Sequence, residues 1–218
     1  TTVDTMEGGE ALAETAMSSF GKIDCLVNNA GILRDRSFPK MTEDEWDSVM
    51  SVHAKGHFCS SQAVIQPMRD GGGGSIINVT STTGLAGRFG QVNYAAAKAA
   101  ILGFTRALAI ELAKYDIRVN VVAPSALTRM TESIPGADLS LMPGPEMNSS
   151  LFAWLASDAS KEFTGQIFHS SGDELSLWSH PERVVVCYNP GGWTTEDIID
   201  KFQPRLAGKD SRGYPQGI

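Results

Sequence analysis

Along the chain the spacing of apolar residues switches repeatedly between a helical and an extended period. From Ala11 to Phe20 it is helical and stops at Gly21; Ile23, Cys25, Leu26 and Val27 then make a short apolar run closed by Asn28-Asn29-Ala30-Gly31. This predicts helix, strand and turn. Thr42-Glu43-Asp44-Glu45 has capping-box spacing, with the Thr42 hydroxyl placed for an orphan amide and Glu45 reaching back. The helix it opens runs through Trp46, Val49 and Val52 towards Val64, until Pro67 and the Gly71–Gly74 run stop it. Ser75–Val79 is the next strand. A loop punctuated by Gly84, Gly87 and Gly90 leads into a helix from about Gln91 to Lys114, and Ile117–Ala123 is a third strand that Pro124 is expected to stop.

Beyond Pro124 the pattern loosens. Residues 131–149, rich in Pro, Gly, Ser and Met, suit a surface loop or lid. Leu151–Ser157 is again helical, Gly165–His169 reads as a fourth strand, Arg183–Tyr188 as a weaker strand, and Thr195–Phe202 as a short helix. Helices alternating with near-continuous apolar strands imply an α/β fold, a doubly wound parallel sheet covered on both faces. At 218 residues the chain is sized for one domain, with residues 1–170 as its body and 171–218 as an extension packed on it.

Composition narrows the function classes. Hydrophobic residues at 42% and charged residues at 20% belong to a globular chain, and a net charge of −7 repels phosphate backbones and anionic membranes. No nucleic-acid partner is expected. Cys25, Cys59 and Cys187 are odd in number without a C-x-x-C pair, which predicts free thiols in a reducing compartment and no metal site. No apolar run approaches the ~20 residues of a membrane span, and Thr1–Glu10 lacks a signal-peptide core. A cytoplasmic protein is the expectation.

Tyr94 and Lys98, four apart in a predicted helix, share a face, and Ser81 follows the end of a strand, where open α/β sheets bind ligands. A phenol with pKa near ~10 is a weak base at neutral pH, but an ammonium held beside it favours the phenolate. The serine hydroxyl can then hold a substrate oxygen while Tyr94 takes or gives its proton. A lone Tyr-x-x-x-Lys pair is common on helix surfaces, so the pair by itself decides little.

Four blocks in order carry more. Asn28-Asn29-Ala30-Gly31, Ser81, Tyr94-Ala95-Ala96-Ala97-Lys98 and Val119-Asn120-Val121-Val122-Ala123-Pro124 together resemble the short-chain dehydrogenase/reductase family over roughly residues 10–170. Within it, Asn28 through Phe38, Phe89-Gly90-Gln91-Val92-Asn93-Tyr94 and Arg129-Met130-Thr131 are similar to the (3R)-hydroxyacyl-CoA dehydrogenase units of multifunctional β-oxidation enzymes and their single-domain bacterial relatives. The resemblance implies a Rossmann-type fold and an NAD- or NADP-dependent oxidoreductase that interconverts a secondary alcohol and a ketone. It implies Ser81, Tyr94 and Lys98 as the catalytic set, with Lys98 also binding ribose. Asn28, Asn29, Ala30 and Gly31 would border the cofactor, and Pro124 and Leu127 would close over the nicotinamide.

Two positions depart from the broad family pattern. His53 stands in Val52-His53-Ala54-Lys55-Gly56 where an asparagine of a water relay is usual, and an imidazole there would bring an ionisation near ~6.5. Its alternative reading is a packed helix histidine. After Pro124 comes Ser125, and Arg129 stands where a threonine is usual, with Thr128 one residue off. Both departures recur in the hydroxyacyl-CoA branch. The glycine-rich turn that approaches a pyrophosphate, and the residue about 20 positions on that reads the ribose, are not found; Gly71–Gly74 precedes a strand and does not join one to a helix. The resemblance places Asn28 after a first βαβαβ portion, so the expectation is that this chain starts late in the fold.

Three functions compete on these grounds. The first is oxidation or reduction of a 3-hydroxyacyl-CoA and 3-ketoacyl-CoA pair. A second keeps the chemistry but takes a steroid or other lipophilic ketone under the lid Leu139–Met147. The third is a cofactor-free subunit docked on an active partner. For the enzyme readings, the helices Thr42–Met68 and Gln91–Lys114 are expected to form the interface of a homodimer or homotetramer, since apolar residues cover more than one face of the second.

Overall fold

The structure, a computed structural model, describes residues 2–132 and 142–206. Contacts divide the chain into two units, one up to Trp178 and one from Ser179.

Helix α1 (Met6–Phe20) starts where the Thr5 hydroxyl accepts from the Gly8 amide at 3.1 Å and ends at Gly21, whose φ of 76° a side chain would resist. The expected capping box is formed both ways: the Glu45 amide donates to Thr42 Oγ1, and the Thr42 amide to Glu45 Oε2, at 3.2 and 2.9 Å. It opens α2 (Glu43–Met50). The same rod continues through a π turn (Ser51–Lys55) into α3 (Gly56–Asp70). A π turn inserts one residue into the helical repeat and re-aims the side chains on it. Here it carries His53.

Strands β1 (Cys25–Asn28), β2 (Gly74–Val79), β3 (Ile117–Ser125) and β4 (Ile167–Ser171) lie side by side in chain order, all parallel, and β5 (Glu174–Trp178) adds an antiparallel edge. This is the α/β sheet that the sequence pattern predicts. Alternate strand residues feed opposite faces. On one face Ile76 and Val119 pack with Ala13, Val64, Met68, Ala109 and Leu112 from α1, α3 and α5 (Val92–Leu112). On the other, Ile77 and Val122 pack with Leu151 and Leu155 of α7 (Ser149–Ala156), which also seats Trp154 against Phe168. Arg118 fastens that helix's end, donating to the carbonyls of Leu155, Ser157 and Ser160. No helix among the described residues is long and apolar enough to cross a membrane.

Two expectations are corrected. Pro124 does not end β3: it lies inside the strand opposite Ser170, near the sheet's carboxyl edge where one missing amide is tolerated. Arg183–Tyr188 forms no strand, while Glu174–Trp178 does, through a two-residue turn at Gly172-Asp173 with Gly172 at φ 58°. Such a Gly-Asp pair is a hairpin signal available in the sequence. Part of the expected lid is regular, with α6 at Arg129–Glu132 and a 3-10 turn at Pro145–Asn148; residues 133–141 lie outside the described ones. In the second unit, Thr194 and Asp197 form a capping box at the start of a helical stretch through Leu206, and Trp193 meets Phe202 edge to face.

Candidate active site

Because β1 to β4 are parallel, their carboxyl ends share one edge of the sheet, and the register sets Asn28 opposite Asn78, Val79 opposite Val122, and Pro124 opposite Ser170. Every sequence-predicted site residue except His53, Tyr94 and Lys98 sits at those strand ends or in the loops leaving them. The other three come from helices packed against the same edge.

Helix α5 is bolted to the end of β2 by a reciprocal pair of bonds. The Thr80 hydroxyl donates to the Lys98 carbonyl, and Lys98 Nζ donates to the Val79 carbonyl, both at 2.7 Å. One residue on, Ser81 caps the short helix α4 (Thr82–Ala86), accepting from the Thr83 amide at 3.2 Å. Gly84 makes this possible, because a Cβ there would lie 2.7 Å from Lys98 backbone and side-chain atoms. Ser81 is thereby brought beside Tyr94, close enough for its hydroxyl to lower the Tyr94 pKa. The structure thus unites Ser81, Tyr94 and Lys98.

Their electrostatics differ from the expectation. Burial of Tyr94 raises its pKa, the Ser81 hydroxyl lowers it less, and the Asp35 charge raises it. The Lys98 ammonium lies 5.5 Å from the centre of the Tyr94 ring but spends its hydrogen bond on the Val79 carbonyl and not on the phenol oxygen. At 3% exposure, burial lowers the Lys98 pKa to about 7. An ammonium has three donors, and one is used, so Lys98 keeps buried donor capacity for a polar ligand such as a sugar diol.

His53 meets the cluster from the π turn. Its ring stands edge-on to Tyr94 at 5.2 Å, and Nε2 lies 3.1 Å from the Ile32 amide and 2.9 Å from the Ile32 carbonyl. Gly31 is required at this approach, since a Cβ there would fall 2.4 Å from His53 Cε1. The expected ionisation near neutrality is corrected: burial, with the Lys98 charge, lowers the His53 pKa to about 4. His57, one helical turn on, donates from Nδ1 to the His53 carbonyl at 2.6 Å and is likewise neutral, its pKa lowered to about 3 chiefly by burial.

At the proposed cofactor border, Asn29 and Ala30 are exposed and Gly31 half-buried, whereas the Asn28 side chain points inward. Its Nδ2 donates to Ser61 Oγ and Asn78 Oδ1, at 3.0 and 2.9 Å, and Asn78 Nδ2 donates on to Thr105 at 2.9 Å. This buried amide ladder joins β1, β2, α3 and α5, so Asn28 fixes the loop and leaves its backbone to face a ligand. Pro124 and Leu127 are half-buried, and the Leu127 amide donates to the Pro143 carbonyl at 2.8 Å. Thr131 Oγ1 bonds to the Ala126 carbonyl and the Thr128 amide, closing a knot on which Thr128 is spent. A cavity of about 490 Å³ lies farther along the same edge, between Met142, Pro143 and Met147 and the β4–β5 turn.

Sequence reasoning missed the polar residues that hold these segments together. Asn93, fully buried, donates to the carbonyls of Arg34 and Glu45 and accepts from the Tyr94 amide. Gln91, 3% exposed, bridges Thr83 and Asp35. Their positions just before Tyr94 were visible, but their partners lie 8 to 59 residues away and no spacing announces them.

The chain matches the model of the family described as short chain dehydrogenase over residues 1–137. It is 43% identical over 220 residues to the peroxisomal hydratase-dehydrogenase-epimerase of Neurospora crassa, covering 98% of this chain and 24% of that protein. With a hydroxyacyl-CoA dehydrogenase of Mycobacterium tuberculosis it shares 37% identity over 205 residues, 87% of this chain and 65% of that one. The crystal structure of a short chain dehydrogenase from Mycobacterium avium superposes with a TM-score of 0.84 at 36% identity, covering 95% of this chain and 72% of that chain. This chain spans only 21% to 37% of the length of the multifunctional peroxisomal relatives it matches.

Proposed function

Since this chain belongs to the short-chain dehydrogenase family, we propose that it serves an NAD(P)-dependent oxidoreductase acting on a 3-hydroxyacyl-CoA and 3-ketoacyl-CoA pair. The observation that carries this is the assembly of Ser81, Tyr94 and Lys98 at the carboxyl end of β2, on α4 and α5. The substrate class follows the branch signature Asn28–Phe38 and the name of the mycobacterial relative. An assembled set argues against the cofactor-free subunit.

The residues present fit the nicotinamide-riboside end of such a cofactor. Lys98 has two unspent buried donors for the ribose, and the exposed Asn29-Ala30 backbone flanks it on the β1 side. When bound, the nicotinamide supplies the hydride acceptor or donor. In ketone reduction the Tyr94 phenol gives its proton to the carbonyl oxygen and becomes the phenolate, and in alcohol oxidation that phenolate takes the substrate hydroxyl proton back. Ser81 accepts from the Thr83 amide, which leaves its own hydrogen to donate to the substrate oxygen. His53, seated against Gly31, stands edge-on to Tyr94 and helps to orient the phenol.

The three free thiols support a reducing compartment such as the cytoplasm, with the peroxisome, named for the fungal relative, as the alternative. A second copy of the chain is the partner proposed for α3 and α5. The outer face of α5 exposes Ala100, Gly103, Ala107 and Ile110, the last at 80%, and Phe58 of α3 is 46% exposed.

Replacing Tyr94 by Phe removes one hydroxyl and is expected to lower kcat on 3-hydroxyacyl-CoA about 10²-fold or more. Cofactor affinity, measured by nicotinamide fluorescence, should survive. Normal turnover by Tyr94→Phe in the full-length protein would overturn the mechanism.

A further inference from the structure

Hydrogen bonds run from the protein surface at Asp35 through Gln91 to the Thr83 side chain, and the backbone amide of the same threonine meets the catalytic serine. Asp35, on the loop that follows Gly31, accepts from Gln91 Nε2 at 2.7 Å. That bond sets the orientation of the Gln91 amide, because only its nitrogen can donate to a carboxylate. The amide oxygen therefore faces inward and accepts from the Thr83 hydroxyl at 3.2 Å, and the Thr83 amide donates to Ser81 Oγ. Gln91 and Thr83 are 3% and 7% exposed, so neither bond competes freely with water. A second tie keeps the loop in place: the Arg36 amide donates to the Gly90 carbonyl at 2.8 Å, and Asn93 holds the Arg34 carbonyl at 3.0 Å.

We propose that Asp35 is a positioning residue of the active site, acting on Ser81 and Tyr94 through Gln91 and Thr83. Two separable actions follow. As an acceptor, Asp35 fixes the amide of Gln91, hence the side chain of Thr83 and, through the backbone of that residue, the amide that Ser81 Oγ accepts from. As an anion, it opposes a second negative charge on Tyr94 and so favours the protonated phenol. The other ionisable groups facing Tyr94 are Lys98 on its own helix and His53 on the π turn. His53 is neutral at working pH, and Lys98 is turned to the Val79 carbonyl, which leaves Asp35 as the fixed negative charge in this set. The assignment rests on Tyr94 being the acid/base group proposed above.

Two substitutions separate strut from charge. Asp35 is exposed, so neither should unfold the protein. Asp35→Asn keeps an acceptor oxygen for Gln91 and deletes the charge; Asp35→Ala deletes both. The expected result for Asn is near-normal maximal kcat with the rising limb of the kcat–pH profile in alcohol oxidation moved down by about half a pH unit, the scale of a solvent-screened charge. Tyrosinate absorbance of the cofactor-free protein, taken as the difference from Tyr94→Phe, should move the same way. For Ala, kcat is expected to fall about tenfold at every pH while the melting temperature stays within a few degrees. An Ala variant with full kcat, or an Asn variant with an unmoved pH limb, overturns the proposal. The absorbance titration needs neither substrate nor cofactor, so its failure counts against Asp35 alone, whereas normal turnover by Tyr94→Phe counts against the function itself.

Discussion

Replacing Lys98 by methionine is expected to make the cofactor-free protein more stable and to remove its activity. Lys98 is 3% exposed, its ammonium donates to the Val79 carbonyl, and among the described residues no carboxylate forms an ion pair with it. Lowering its pKa from 10.5 to about 7 corresponds to about 5 kcal/mol against the charged form. The sign follows from proton counting. Between pH 7 and 10.5 the unfolded chain holds a proton on this lysine that the folded one has released, so the lysine's contribution to stability improves as pH rises through that window. Below pH 7 both states are charged and the full penalty stands. Lys98→Met removes it, at the expense of about 1–2 kcal/mol for the lost bond to a buried carbonyl. The net gain should therefore be about 2–3 kcal/mol near pH 7, fall by about 2 kcal/mol by pH 9, and vanish or reverse near pH 10. Urea unfolding at three pH values, with unchanged m-values, measures this directly. A variant less stable than the parent at pH 7, or a difference that does not shrink with rising pH, would refute the picture of an uncompensated buried ammonium. Loss of turnover in the same variant would show why the chain tolerates so costly a group.

His53 should be silent in the activity profile. With its pKa near 4, His53→Asn is expected to leave the kcat–pH curve unchanged between pH 6 and 9, and an ionisation near 6.5 that the variant lacks would contradict the buried neutral imidazole. The same burial makes the folded state poorer in protons than the unfolded one between pH 4 and 6.5, so parent stability is lost as pH falls through that window, and thermal melts of His53→Asn should show a shallower acid decline. For the proposed interface, Ile110→Glu on the outer face of α5 should shift the full-length protein to a monomer in light scattering, and a parent that is already monomeric across a wide concentration range would remove the second copy as partner.

Much of the architecture was legible because it depends on local pattern. The change from helical to extended spacing located α1, α3, α5 and the four parallel strands, and the Thr42 capping box opens α2 where its own hydrogen bonds require. The trio Ser81, Tyr94 and Lys98 was legible through the family resemblance of four ordered blocks, while the strand end and the i, i+4 pair on one helix face only made their meeting possible. What the trio does electrostatically was not. A lysine beside a tyrosine in sequence says nothing of desolvation, and only the packed structure turns its ammonium to the Val79 carbonyl and drains its charge by burial. His53 shows the same division: its place could be read, but its neutrality comes from the Gly31 loop closing over the ring. Asp35, Thr83, Gln91 and Asn93 were beyond reach for a related reason. Each acts on a segment distant in the chain, and a hydrogen bond between an amide and a carboxylate 56 residues apart leaves no period in the sequence that links them. Local order and candidate chemistry are properties of neighbouring residues; ionisation state and orientation are properties of the surroundings, which exist only once the chain is folded.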